Sequence, residues 1–144
     1  MAKQIVLDAN ILIRAVLGTK VIALITQYAD STTFLSVDEA FEDAFKYIPL
    51  LFEKRGADKE VIDVALAKLA QLKNFIQIVP LDNLAEYEQV ARERLRNRDE
   101  DDWSFLALAL LLKCPVWTED TDFFGTGVPT WTSDRVEMFF KNTE

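Results

Sequence analysis

Residues 105–112 read Phe-Leu-Ala-Leu-Ala-Leu-Leu-Leu, eight apolar side chains in a row. A helix built from them has no polar face to turn to water and must be buried on nearly every side. No apolar run in the chain reaches the length of a membrane span, so the cover has to come from the protein itself. The material is present: half of the 144 residues are apolar, enough for one domain, residues 1–144, to close a single core without staples. The one cysteine, Cys114, lies just beyond this run and can form no internal disulfide, which fits a reducing compartment or a simple buried thiol, the buried reading being favoured.

The remaining pattern alternates short β-branched runs with amphipathic segments. Strands are expected at residues 5–7, 33–36, 75–80, 115–118 and 129–132. Helices are expected at 11–17, 21–28, 37–52, 59–73, 83–97, 102–113 and 133–140. Pro49 should kink or end the third helix. Asp58 reads as the cap of the fourth helix, whose apolar face is Val61, Val64, Leu66, Leu69 and Leu72. Ser133 reads as the cap of the last. Such alternation implies an α/β fold, a three-layer α/β/α sandwich around a parallel sheet of four to five strands. Ligands of such sheets bind beyond the carboxyl ends of the strands, where strand order reverses. Asp8 and Asp120 both fall at predicted strand carboxyl ends.

With 24 acidic against 16 basic residues the net charge is −8, which argues against broad, non-specific affinity for nucleic acid. Acidity concentrated at one place is another matter. Four clusters stand where apolar runs start or stop: Asp8 with Asn10, residues 39–43, residues 99–102, and Asp120 with Asp122. There is no histidine, so Ser-His triads are excluded and zinc is disfavoured. Clustered carboxylates suit hard cations, Mg²⁺ or Mn²⁺, which take oxygen ligands and need only a few from the protein.

Each acid also has a plainer role open to it. Asp8 can cap the helix that follows, Asn10 can be a turn residue, and one of Asp101 and Asp102 can cap the apolar helix. Glu42 lies at the edge of an apolar helical face, with Glu39 one turn earlier as its alternative. Asp120 and Asp122 can form a solvated turn, although Thr118 and Thr121 add oxygen donors there. Arg92, Arg94, Arg96 and Arg98, with Lys46, Lys54 and Arg55, are candidate phosphate contacts or simply solvated faces.

The segments Ile-Val-Leu-Asp-Ala-Asn-Ile-Leu-Ile at 5–13, the helical glutamate after the second strand, Asp-Asp-Trp-Ser-Phe-Leu-Ala-Leu-Ala-Leu at 101–110 and Val-Trp-Thr-Glu-Asp-Thr-Asp-Phe at 116–123 resemble, in order and spacing, the PIN-domain ribonucleases. Within that family the chain is similar over its whole length to the small VapC-type toxins. The resemblance implies a PIN-like fold and an endoribonuclease that hydrolyses RNA with Mg²⁺ or Mn²⁺. Carried over by position, Asp8, Glu42, Asp102 and Asp120 are the catalytic acids, and Asp8, Asp102, Asp120 and Asp122 the metal ligands. Asn10, Thr118 and Glu39 are auxiliary. It further implies an antitoxin partner and a homodimer.

The N-terminal stretch is too short and too polar for a signal peptide, so the expected location is cytoplasmic. Two rivals remain: a PIN-like module that binds RNA or protein without cutting, and a haloacid-dehalogenase-type phosphatase. The phosphatase needs a second aspartate two residues after the first, where this chain has Asn10.

Overall fold

Residues 3–142 are described by the computed structural model, and most of the apolar run is covered as its composition demands. It lies in helix α6 (Trp103–Leu112), in which Ser104 through Ala109 are all buried, while Leu110 and Leu112 are half-buried and Leu111 is exposed at the helix end. Lys113 ends α6 in the left-handed conformation at φ 55°. Around it are five strands, β1 (Lys3–Leu7), β2 (Thr32–Val37), β3 (Ile76–Val79), β4 (Val116–Trp117) and β5 (Thr130–Trp131). They form one sheet in the order β3-β2-β1-β4-β5, and every pairing is parallel. The other helices are α1 (Ala9–Leu17), α2 (Lys20–Gln27), α3 (Asp38–Lys54), α4 (Lys59–Leu72), α5 (Glu88–Arg94) and α7 (Val136–Lys141).

The helices fall into two packing groups. α1, α3 and α4 pack on one another, with α2 against α1, while α6 lies over β1 and β2 with α5 beside it. The sheet between them is the α/β/α sandwich expected. Its centre is largely apolar: Ile5, Val6, Leu7, Leu69, Leu106 and Trp117 are fully enclosed. Trp117 stacks edge-on against Phe140 at 5.7 Å between centroids, and α7 is pinned there by Lys3, whose Nζ donates to the carbonyls of Phe139 and Phe140. No single helix among the described residues is long and apolar enough to cross a membrane.

Pro49 sits inside α3 without ending it, between Ile48, buried, and Phe52, packed on the core. Three local expectations need correction. In α4 the buried face is Ala65, Leu69 and Leu72, whereas Val61 and Val64 are 46% and 56% exposed. The spacing 65, 69, 72 follows the helical repeat more closely than the apolar letters do. The helix expected at 83–97 is a 3-10 segment, Leu81–Tyr87, followed by the short α5. Ser133 caps nothing: its hydroxyl accepts from Trp117 Nε1 at 3.0 Å and its N–H donates to Glu119 at 2.7 Å, so α7 starts only at Val136. Asp58 does cap α4, accepting from the Val61 N–H at 3.1 Å.

Candidate metal centre

Strand order decides which chain ends meet. From β1 the sheet grows one way through β2 and β3, then resumes on the opposite side with β4, so the reversal lies between β1 and β4. Leu7 is in register with Trp117, which sets Asp8 beside Thr118 at the carboxyl edge.

Asp8 is 6% exposed and both of its oxygens are engaged. Oδ1 accepts from the Ile11 N–H at 3.0 Å and so caps α1, and Oδ2 accepts from the Thr118 hydroxyl at 2.5 Å. The plain role and the functional one therefore coexist, since the cap fixes the carboxylate's rotamer. Burial pushes the Asp8 carboxyl up to about 6 against the lowering effect of these two bonds, with Asp120 and Glu119 adding repulsion. Thr118, fully buried, also accepts from the Asp120 N–H at 2.9 Å, so one hydroxyl orients the first acid and the backbone of the last. Asp120 in turn accepts from the Asp122 N–H at 2.9 Å and caps the 3-10 turn Thr121–Phe123.

Asp102 arrives from the other side, at the end of the 3-10 turn Glu100–Asp102 that leads into α6. Neither Asp101 nor Asp102 caps; Asp99 does, accepting from the Asp101 N–H at 3.0 Å. The Asp102 carboxyl is thus free of backbone duty. Burial, then repulsion from Asp99, Asp120 and Asp8, push it up to about 7. Like charges crowded together without a counter-ion favour the protonated form of the Asp102 carboxyl. Arg92 with Glu88, on α5, is the one ion pair among the described residues, so no cation neutralises this edge.

The remaining predicted residues separate. Asp122 is half-buried, and its Oδ2 accepts from the Asp99 N–H at 3.2 Å, tying the two acidic turns together. Asn10 is exposed in the first turn of α1 and makes no hydrogen bond to Asp8. Glu42 is exposed on α3, whereas Glu39, one turn earlier, is half-buried. The Glu39 carboxyl is raised by burial, by its helix neighbours Asp43, Asp38 and Glu42, and by Asp101 across the gap. Of the two helical acids, Glu39 is the less exposed and feels the charge of Asp101, while Glu42 is exposed. Glu119 and Asp99, not singled out as ligands from the sequence, are part of the field. Their place within the acidic runs was their only signal.

Among the described residues no three acidic side chains stand close enough to form a ready cage for an ion. Mg²⁺-class cations keep several waters and are held by one or two carboxylates with substrate phosphate. The donor set is all oxygen, negatively charged and unneutralised, and it fits such a cation.

The PIN domain family model matches residues 6–141. The fold is similar to VapBC2 from Rickettsia felis bound to a DNA fragment from their promoter, at TM-score 0.68 and 12% identity over 90% of this chain and 98% of that one. It is equally similar to PAE2754 from Pyrobaculum aerophilum, at TM-score 0.68 and 18% identity over 97% and 96%. A toxin-antitoxin complex from Klebsiella pneumoniae matches at TM-score 0.57 and 18% identity over 89% and 96%. At these identities the likeness is one of fold. No curated protein matches by sequence. The family match begins inside β1, just before Asp8, and ends with α7, spanning every element that builds the acidic edge: the chain belongs to the PIN-domain family.

Proposed function

We propose that the chain is a metal-dependent endoribonuclease that hydrolyses RNA phosphodiester bonds with Mg²⁺ or Mn²⁺, and that it is the toxin of a toxin-antitoxin pair. The observation that carries the reading is the acidic edge at the strand-order reversal, where Asp8 is buried and locked by the Ile11 N–H and the Thr118 hydroxyl, the same hydroxyl holds the Asp120 backbone, and Asp102 approaches from the start of α6. Membership of the PIN family supports nuclease chemistry, and the neighbour solved as a toxin-antitoxin complex supports a cognate antitoxin. Cytoplasmic RNA is the substrate this implies, and a homodimer the assembly.

Asp8, Asp102 and Asp120 are the ligands proposed, with Asp122 behind Asp120 and Glu39, rather than Glu42, at the rim. A bound Mg²⁺ or Mn²⁺ supplies Lewis acidity, activating water and offsetting the phosphate's charge. The protein's share is positional. Thr118 and the Ile11 N–H aim Asp8, the Asp122 N–H aims Asp120, and Asp102, with no cap to serve, is free to bind or to take the proton of an attacking water.

The test is cleavage of single-stranded RNA with Mn²⁺ or Mg²⁺, with and without chelator, by the native chain and by Asp8→Asn and Asp102→Asn. Cleavage that needs metal and is lost in both variants is expected. Cleavage that survives both would remove the proposed site, and none under any metal would favour a binding module with the same fold.

A further inference from the structure

Arg94 and Arg98 have other work than phosphate binding. Arg98 stands in the connection between α5 and α6, after Asn97 at φ 67° and four residues before Asp102. Its Nη1 donates to the carbonyl of Asp122 at 2.6 Å and to that of Phe124. Arg94 Nη1 donates to the carbonyl of Thr126 at 2.8 Å. Carbonyls at 122, 124 and 126, every second residue of the loop leaving β4, are thus gathered by two guanidinium groups, each presenting several donors from one rigid plane. The loop is shaped to receive them. Gly127 lies at φ +92°, and a Cβ there would stand 2.7 Å from Arg94 Nη1.

What this grip joins is informative. On one side is the turn that leads to Asp102, and on the other the turn that carries Asp120 and Asp122. The two turns are negatively charged and repel each other, and only a bond from the Asp99 N–H to Asp122 Oδ2, at 3.2 Å, otherwise ties them directly among the hydrogen bonds described. Arg98 supplies positive charge and two bonds, yet it makes no ion pair with a carboxylate among the described residues. Its donors go to carbonyls and not to the carboxyl oxygens. The link to the site is short: the residue whose carbonyl Arg98 holds, Asp122, donates its own N–H to Asp120 Oδ1.

We infer that Arg98 is a positioning residue: it fastens the Asp120–Asp122 turn to the entry of α6, so that acidic turns from two distant segments are held together at the edge where a divalent cation would bind. The inference rests on the metal-centre reading above. Arg94 supports the far end of the same loop.

The experiment compares the native chain with Arg98→Ala and Arg98→Lys by Mn²⁺ titration, steady-state RNA cleavage and amide hydrogen exchange. In Arg98→Ala the Mn²⁺ Kd is expected to rise about 10- to 100-fold, the scale for groups that orient metal ligands. At limiting Mn²⁺, kcat should fall in step while KM for RNA stays within about twofold. Exchange should quicken at residues 121–127 and not in the central strands, and Arg98→Lys should recover part of the affinity. A raised KM with unchanged Mn²⁺ affinity would make Arg98 an RNA contact and overturn the inference. Faster exchange along the whole chain would do the same, as a merely structural role. If the native chain binds Mn²⁺ and Arg98→Ala binds it equally, the inference falls and the metal-centre reading stands. If the native chain binds no Mn²⁺, that reading fails first and takes the inference with it.

Discussion

Replacing Asp102 by asparagine should make the metal-free protein more stable while destroying its activity. In the native chain the Asp102 carboxyl is held up to about 7 from 3.8 by burial and by Asp99, Asp120 and Asp8. The folded state therefore holds this proton more tightly than the unfolded state. The stability associated with it is complete below about pH 4 and is lost as pH rises towards 7. Taken whole, the displacement corresponds to about 4 kcal/mol. Asp102 is only half-buried, and solvent screening brings the working figure to about 1–2 kcal/mol. An asparagine carries no charge at any pH and makes the same size demand. In urea titrations with chelator present, Asp102→Asn should match the native chain near pH 4 and exceed it by that amount at pH 8. For a chain of this length the gain is a Tm higher by about 5 °C. Added Mn²⁺ should reverse the order, since a ligand at a hundred times its Kd adds about 2.7 kcal/mol to the form that binds it. A variant less stable than the native chain at pH 8, or a gain of equal size at both pH values, would falsify the electrostatic account.

Other substitutions probe single supports. Thr118→Val removes the donor to Asp8 and the acceptor for the Asp120 N–H; it should cost about 1–3 kcal/mol in urea unfolding and lower the cleavage rate at least about tenfold. Glu39→Gln should reduce RNA cleavage whereas Glu42→Gln leaves it within about twofold, and the opposite ranking would return the helical role to Glu42. Trp117→Ala should destabilise by about 3–5 kcal/mol, because a fully enclosed ring packed against Phe140 is lost; a cost under about 1 kcal/mol would mean that α7 does not close the core as described.

Much of this fold is legible in local pattern. The run at 105–112 needs cover on every side whatever surrounds it, and α6 has six successive buried residues as a result. Asp8 follows a β-branched run and opens a helix, which is sufficient to place it at a strand end. What escapes local reading is phase and pairing. The apolar letters of α3 define a face but not which of two glutamates, one turn apart, is the more covered; that depends on how α3 lies against α1 and α4. Val61 and Val64 look like core and are not, because their neighbours in space were assigned to Ala65 and Leu69. The adjacency of β1 and β4 is set by two-residue pairings more than a hundred residues apart. The carbonyl bonds of Arg94 and Arg98 reach across 24 to 32 residues and have no sequence signature, since every residue carries a carbonyl.

The central claim is that Asp8, Asp102 and Asp120 hold a divalent cation at the carboxyl edge between β1 and β4. Anomalous diffraction from crystals grown with Mn²⁺ tests it without reference to any substrate. The account predicts a peak within about 2.5 Å of carboxyl oxygens from at least two of these three residues, with waters completing the shell. A well-ordered crystal whose only manganese sits elsewhere on the molecule, with this edge free of metal, would contradict it.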